Sequence, residues 1–350
     1  MSNSILSIIG TRPQLVKFSA IQTAFRKRNI NHEYIDTGQH YDPELSTNFA
    51  KELEITQPKI NLQVGSASPN QQLANMIVAL DSALSAQSPS MIIVYGDTNS
   101  TLAATLVAVK KNIPVLHVEA GLRSNNNKMQ EEINRKAVDH LSSVLFPPTI
   151  TACSNLKNEG LQSKSHMFGV VMLDLVKNLV KTKKIFNLGG VYQNSIVCTL
   201  HRAENTNSPS RIKFIFGELG KLNQEILLFA HPRLQKTLKE FSITTPANLQ
   251  LHKPINHTAL LQIVLNSFAI VTDSGGLQKE SFFLGKRCVT FREESEWPET
   301  LTGNMNSLIN VGQSLKEVLA KEIQFTSTPY FGNGNAAEKI VEFILNYSME

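Results

Sequence analysis

A chain of 350 residues exceeds one ordinary hydrophobic core and points to two domains of about 150–180 residues each. With 41% hydrophobic and 18% charged residues and no low-complexity tract, its composition is that of a soluble globular protein. The net charge of +5 comes from 34 basic residues dispersed along the chain, which speaks for a solvated surface over a nucleic-acid interface and leaves room for a basic cleft around an anionic nucleotide.

Short apolar runs alternate with longer amphipathic segments. Ile5 to Ile9 reads as a strand, Gly10 to Gln14 as a turn, Leu15 to Lys27 as a helix, and Tyr34-Ile35 opens a second strand. Gln71 to Gln87 is predicted helical, Met91 to Tyr95 a strand, Thr101 to Lys111 a helix, Val115 to Val118 a strand, Glu131 to Ser143 a helix and Val144 to Phe146 extended. A second series has strands at Ser195 to Thr199, Ile226 to Ala230, Leu249 to Leu251, Ala269 to Thr272 and Cys288 to Phe291. Its helices are predicted at Arg211 to Asn223, Thr258 to Asn266 and Gly276 to Phe283. Such βαβ alternation implies mostly parallel sheets with helices on both faces. Domains are expected over residues 1–170 and 171–330, joined through a stretch between Phe168 and Asn194 that lacks strong apolar periodicity. A last helix, Asn335 to Leu345 within 331–350, is a candidate to pack back on the first domain.

Three cysteines, Cys153, Cys198 and Cys288, are an odd count without metal-ligand spacing and read as buried thiols in a reducing compartment. No apolar run approaches the roughly 18 residues needed to cross a bilayer, and Ser4 to Ile9 is too short for a signal core. The expectation is a cytoplasmic enzyme with neither membrane insertion nor a nucleic-acid partner.

Acids stand at the ends of two consecutive strand patterns, Asp97 after Val94-Tyr95-Gly96 and Glu119 after Val118, and Glu131-Glu132-Ile-Asn-Arg135 follows. In α/β sheets ligands bind at strand carboxyl ends, so at least three carboxylates are candidates to converge on one acid/base site. Gly10-Thr11-Arg12-Pro13 ends a strand and opens a helix; either its free backbone N–H groups, Arg12 and Lys17 hold a diphosphate, or it is a surface turn with two solvated cations. Thr272-Asp273-Ser274-Gly275-Gly276 also follows a strand and opens a helix, which suits phosphate oxygens, and Glu280 lies one turn on, placed for a sugar diol. His201, at a strand end, is a candidate general acid or base against a structural alternative. His231-Pro232 closes another strand and could frame a base or sugar pocket. Core packing is the expectation for His117. No His, Cys or acid spacing fits a metal, and no GxGxxG or GxSxG motif occurs.

In order, GTRP, DTGQHYD, YGDTNSTLA, HVEAGLRS, EEINR, LHRAEN, HP, TDSGGLQ and REESEWPE run from Gly10 to Glu299. This set resembles the non-hydrolysing UDP-N-acetylglucosamine 2-epimerase family. The resemblance implies an α/β fold of two Rossmann-like doubly wound domains facing across a cleft, the glycosyltransferase B type, as a homodimer. It implies inversion of the acetamido-bearing carbon by anti elimination of UDP and re-addition to the opposite face. No cofactor is then required, because substrate and product share oxidation states. Carried over by position, Asp97, Glu119, Glu131 and His201 match the catalytic group, with carboxylate pKa values expected to be tuned by burial and mutual repulsion. Arg12, Lys17, Ser274, Gly275, Gly276 and Glu280 match UDP-binding positions, and His231 and Arg292 positions near the nucleotide. Arg123 and Arg135 flank the acids, as ligand contacts or as salt bridges that fix the loop.

Departures bear on the substrate. Gln130 replaces a Pro before the Glu pair, Lys279 stands where a second Glu is common, Trp297 takes the place of an Arg in the usual TERPE segment, and Val170 interrupts a GN/GD turn. The HYDP, Gly65-Ser-Ala-Ser and Glu-Trp segments resemble the branch acting on UDP-2,3-diacetamido-2,3-dideoxyglucuronate. The family's regulatory second substrate site would fall on Gln39 and His40. Rival readings are a hydrolysing relative, a glycosyltransferase of the same fold, and a UDP-sugar-binding module without activity; the intact EEINR segment favours the non-hydrolysing enzyme.

Overall fold

A computed structural model describes residues 4–39, 50–324 and 330–347; His40 and the rest of the HYDP segment lie outside the described residues. The chain divides into two compact units, Met1–Leu175 with Pro329–Glu350, and Val176–Thr328.

In the first unit, β1 (Ile5–Ile9), β2 (Glu33–Asp36), β3 (Ile60–Asn61), β4 (Met91–Tyr95), β5 (Val115–Val118) and β6 (Val144–Phe146) form a sheet. Among the described residues it is six-stranded, ordered β3-β2-β1-β4-β5-β6, and every neighbouring pair is parallel. Its helices are α1 (Arg12–Arg26), α2 (Pro69–Gln87), α3 (Asn99–Lys110), α4 (Gln130–Leu141), α5 (Ile150–Asn158) and the start of α6 (Val171–Lys181). Parallel strands covered on both faces read as unbroken apolar runs, and Met91 to Tyr95 are buried throughout. Leu6, Ile8, Ile92 and Val94 pack against Met76, Leu80 and Leu84 of α2 and the small Ala103 and Ala104 of α3.

The second unit repeats the plan. Its strands are β7 (Ser195–Thr199), β8 (Glu225–Phe229), β9 (Leu249–His252), β10 (Ala269–Thr272), β11 (Cys288–Thr290) and β12 (Asn306–Leu308). They are ordered β12-β11-β10-β7-β8-β9, again all parallel. Helices α7 (Ala203–Thr206), α8 (Pro209–Gly220), α9 (Pro232–Glu240), α10 (His257–Asn266), α11 (Gly275–Phe283) and α12 (Leu315–Ala320) accompany them. α13 (Ala336–Asn346) belongs to the first unit and lies against α1, with Lys27 Nζ 2.5 Å from Glu338 Oε1. Both sheets have the doubly wound order in which chain direction reverses beside the first strand, so each has a switch point, between β1 and β4 and between β7 and β10.

Three local expectations are corrected. α1 begins at Arg12, not Leu15: Thr11 is extended at its N-cap, and Pro13 presets the helical φ in the first turn, where its missing N–H costs nothing. The stretch 168–194 is periodic after all over α6, whose Val171, Leu175, Val176 and Leu179 are buried; the unit boundary falls inside that helix, between Leu175 and Val176. Cys153 is only half-buried, whereas Cys198 and Cys288 are buried, and all three are free thiols. No helix among the described residues is long and apolar enough to cross a membrane.

Gly10 marks the tightest approach at the first switch point. A Cβ there would stand 1.9 Å from Ser100 Oγ and 2.4 Å from Thr37 Oγ1, two hydroxyls that bond each other at 2.7 Å. Gly10→Ala is therefore expected to cost about 1–3 kcal/mol through overpacking, seen as a lower urea midpoint with an unchanged slope. An unchanged midpoint would show that the strand-to-helix turn has slack to spare.

Candidate active site

In the first unit the candidate residues gather at the carboxyl ends of β1, β4 and β5. Gln14 joins these turns. Its Oε1 accepts from Gly10 N at 2.8 Å and Thr11 N at 3.1 Å, while Nε2 lies 2.7 Å from the Tyr95 carbonyl and 2.9 Å from Thr101 Oγ1. The expectation of free N–H groups in this turn is thus corrected. Gly10 and Thr11 spend theirs on Gln14, the capping-box arrangement that a Thr followed three residues later by Gln encodes. Arg12, by contrast, is exposed at the first position of α1.

Lys17, one turn further on, is buried and ion-paired with Glu119. Its Nζ lies 3.0 Å from where a Cβ on Gly96 would stand, so one ammonium touches both the turn before Asp97 and the Glu119 carboxylate. Asp97 is partly exposed and pairs with Arg135, while Asn134 Nδ2 donates to the Asp97 carbonyl at 3.0 Å. Each of the two strand-end carboxylates therefore has a cation beside it, in place of the expected mutual repulsion between acids. Glu119 has φ +73°, a left-handed conformation uncommon for a residue with a Cβ and a form of strain found at functional sites.

The Glu131-Glu132 pair splits. Glu132 is buried and accepts from Ser124 N at 2.9 Å, Asn125 N at 3.2 Å and Arg135 Nη1 at 2.7 Å. Burial pushes its carboxyl up, but these donors outweigh it and hold it below the usual range. Glu131 is exposed in the first turn of α4, and its side chain has no hydrogen-bond or ion-pair partner among the described residues. It lies four residues before Arg135, on the same helix face as the partner of Asp97. Arg135 and Arg123 are both engaged in salt bridges, Arg123 with Asp139 at 2.8 Å and Glu159 at 2.7 Å.

In the second unit the candidates stand at the ends of β7 and β10. Asp273 is fully buried and accepts from His201 N at 3.1 Å, Arg202 N at 3.0 Å and Asn205 Nδ2 at 3.0 Å; His201 Nδ1 lies 2.8 Å from it. Burial pushes the Asp273 carboxyl up, yet His201, Asn205 and the Arg202 N–H together hold it below the ordinary range. One carboxylate so fixes both the backbone and the ring of the half-exposed His201. His231 caps α9, its Nδ1 accepting from Arg233 N at 3.2 Å.

Ser274 caps α11 through Leu277 N at 3.3 Å, and the N–H groups of Gly275 and Gly276 have no acceptor among the described residues. The Arg292 guanidinium lies 3.7 Å from the Cβ position of Gly275 and is held by Glu296 through two 2.9 Å bonds. Gly-Gly followed by a helix, with a fixed guanidinium alongside, is an anion-binding arrangement. Glu280 is buried and lies 2.6 Å from His257 Nε2. The two departures Lys279 and Trp297 meet: Lys279 Nζ sits 3.7 Å over the indole. Among the described residues no group of three His, Cys, Asp or Glu could hold a metal ion.

Sequence reasoning did not single out Gln14, Glu132, His257 or Glu296. Only Gln14 carried a local signal, its spacing from Thr11. The others act through partners 3 to 23 residues away in sequence, which a reading for apolar periodicity does not reveal.

Two doubly wound units with strand-end carboxylates in one and a glycine-rich helix start in the other define a Rossmann-type enzyme of the glycosyltransferase B class. The chain belongs to the UDP-N-acetylglucosamine 2-epimerase family, whose profile matches residues 23–345. A UDP-N-acetylglucosamine 2-epimerase homolog of Methanococcus maripaludis is 40% identical, covering 98% of this chain and 99% of its own. The UDP-2,3-diacetamido-2,3-dideoxy-D-glucuronate 2-epimerase of Pseudomonas aeruginosa is 36% identical over 97% of this chain and 99% of its own. The crystal structure of Methanocaldococcus jannaschii UDP-GlcNAc 2-epimerase in complex with UDP-GlcNAc and UDP superposes with a TM-score of 0.89 at 34% identity, covering 98% and 99% of the two chains.

Proposed function

We propose that this chain is a non-hydrolysing UDP-sugar 2-epimerase that inverts the acetamido-bearing carbon of UDP-N-acetylglucosamine or a close relative, for surface polysaccharide precursors. The observation that carries this reading is identity of 34–40% with family enzymes along nearly the whole chain. A carboxylate removes the poorly acidic proton at carbon 2 as the C1–O bond breaks and UDP departs with the electron pair. The 2-acetamidoglucal that remains is protonated at carbon 2 from the opposite face while a UDP oxygen re-forms the bond to C1. The proton and leaving group are both restored, so no electrons are exchanged.

Asp97, Glu119 and Glu131 are proposed as the acid/base carboxylates and His201 as the donor to the leaving phosphate. Neighbouring strand ends and oriented cation partners for Asp97 and Glu119 support this, as does the exposure of Glu131. In the second unit Ser274, Gly275, Gly276 and Arg292 suit a pyrophosphate, with Glu280 and His231 proposed for the nucleoside; in the first unit Arg12 and Lys17 are proposed as nucleotide-binding cations. A homodimer belongs to the same reading; Val78 and Ile133 are apolar and exposed on the first unit. Asp97→Asn, Glu119→Gln and Glu131→Gln are each expected to lower kcat by about a hundredfold or more while sparing UDP affinity. Near-normal turnover in all three would refute the site.

One observation favours the diacetamido-glucuronate as substrate. At the positions where the resemblance has a Glu and an Arg, Lys279 and Trp297 are in contact, Lys279 Nζ 3.7 Å from the ring centroid, which replaces an acid by a cation there. Trp297→Arg is expected to change the ratio of kcat/KM for the acidic over the neutral UDP-sugar by about tenfold or more. An unaltered ratio would remove the contact from specificity.

A further inference from the structure

His117 lies in β5, fully buried. Its Nε2 is 2.8 Å from the Gly96 carbonyl oxygen, and its Nδ1 is 2.8 Å from Asp139 Oδ1. A carbonyl oxygen only accepts, so Nε2 bears a proton. Asp139 is an acceptor as well: its Oδ2 takes the Gly121 N–H at 3.0 Å and Arg123 Nη1 at 2.8 Å. Burial pushes the Asp139 carboxyl up, but His117 and Arg123 outweigh that and hold it below the ordinary carboxylate range. His117 therefore bridges the Gly96 carbonyl and the Asp139 carboxylate through its two ring nitrogens.

We propose that His117 is a positioning residue that, with Asp139, clamps the turns carrying Asp97 and Glu119, an inference that rests on the assignment of those two carboxylates above. Gly96, whose carbonyl His117 holds, is the residue before Asp97, and its own N–H bonds the Val118 carbonyl at 3.1 Å. Gly121, whose N–H Asp139 holds, comes two residues after Glu119. The left-handed Glu119 is pinned from both directions: Glu119 N and Ala120 N bond the Phe146 carbonyl at 3.1 and 3.3 Å, and Gly121 N is fixed by Asp139. A single buried pair so ties both acid-bearing turns together. Arg123 extends the cluster by bridging Asp139 and Glu159. Buried ion pairs are weak contributors to stability, because desolvation offsets their attraction; what this one supplies is direction. Nothing in the reaction requires His117 to touch substrate. Its effect falls on where Asp97 and Glu119 stand, and misplacement of a reacting group by about 1 Å can cost on the order of a hundredfold in rate.

Two measurements on the full-length chain test this. Nitrogen-15 NMR of histidine-labelled protein is expected to show one ring whose Nε2–H is hydrogen-bonded and slow to exchange with solvent, a signal that disappears in His117→Gln; a fast-exchanging Nε2–H at that position overturns the clamp. Steady-state epimerisation of UDP-N-acetylglucosamine separates positioning from folding. His117→Leu is expected to lower kcat about tenfold to a hundredfold with KM and UDP affinity kept within about twofold. In Asp139→Asn the amide can still bond Nδ1 while Nε2 donates to Gly96, so the loss is expected to be smaller, and His117→Gln is expected to fall between. Unchanged kcat in His117→Leu, or loss of UDP binding alongside kcat in every variant, overturns the positioning role. A wild-type chain inert toward UDP-sugars would sink the functional reading instead, while the ring spectrum still tests the hydrogen bonds of the clamp.

Discussion

In both sheets every pair of neighbouring strands is parallel, and a parallel sheet delivers all its strand carboxyl ends to one edge. This constraint places the candidate chemistry. Residues that follow β1, β4 and β5 are brought together in the first unit, and those that follow β7 and β10 in the second, although 72 residues separate His201 from Asp273 and 109 separate the ends of β1 and β5 at Ile9 and Val118. The reversal of direction at β1/β4 and β7/β10 opens the sheet edge where helices leave on opposite faces. Loops there can carry side chains without disturbing the buried strands, whose apolar runs are committed to packing.

The ion pairs at that edge organise as much as they stabilise. Lys17 spans from α1 to Glu119, Arg135 from α4 to Asp97, and Asp273 gathers His201, Arg202 and Asn205 around one carboxylate. Each of these pairs is directional, so removing one member would leave a buried or half-buried partner uncompensated. Lys279 on Trp297 is the exception in kind, a cation held by an aromatic face where an acid and a guanidinium would be usual for the family.

The alternation of strand and helix was legible because buried parallel strands are uniformly apolar and short, as Met91 to Tyr95 and Ala269 to Thr272 illustrate. The family was legible because its motifs fall on strand ends, where sequence is constrained by chemistry rather than packing. Helix starts were less legible. Gly-Thr-Arg-Pro has the residues of a turn, yet Pro13 and Gln14 already belong to α1. α6 was missed because its surface lysines and the following Gly189-Gly190 mask a buried stripe. Contacts between side chains far apart in sequence, such as Glu280 with His257, leave no trace in one sequence read alone.

Proton NMR of the full-length protein with UDP-N-acetylglucosamine in deuterated water examines the chemistry most directly, because breaking the bond from carbon 2 to hydrogen is the step that the strand-end carboxylates exist to perform. A mixture of the two 2-epimers carrying one deuteron at carbon 2, without stoichiometric release of UDP, is expected for this and for the diacetamido-glucuronate analogue if that is the preferred sugar. Retention of the carbon 2 proton in both sugars, or conversion to free sugar and UDP, would contradict it.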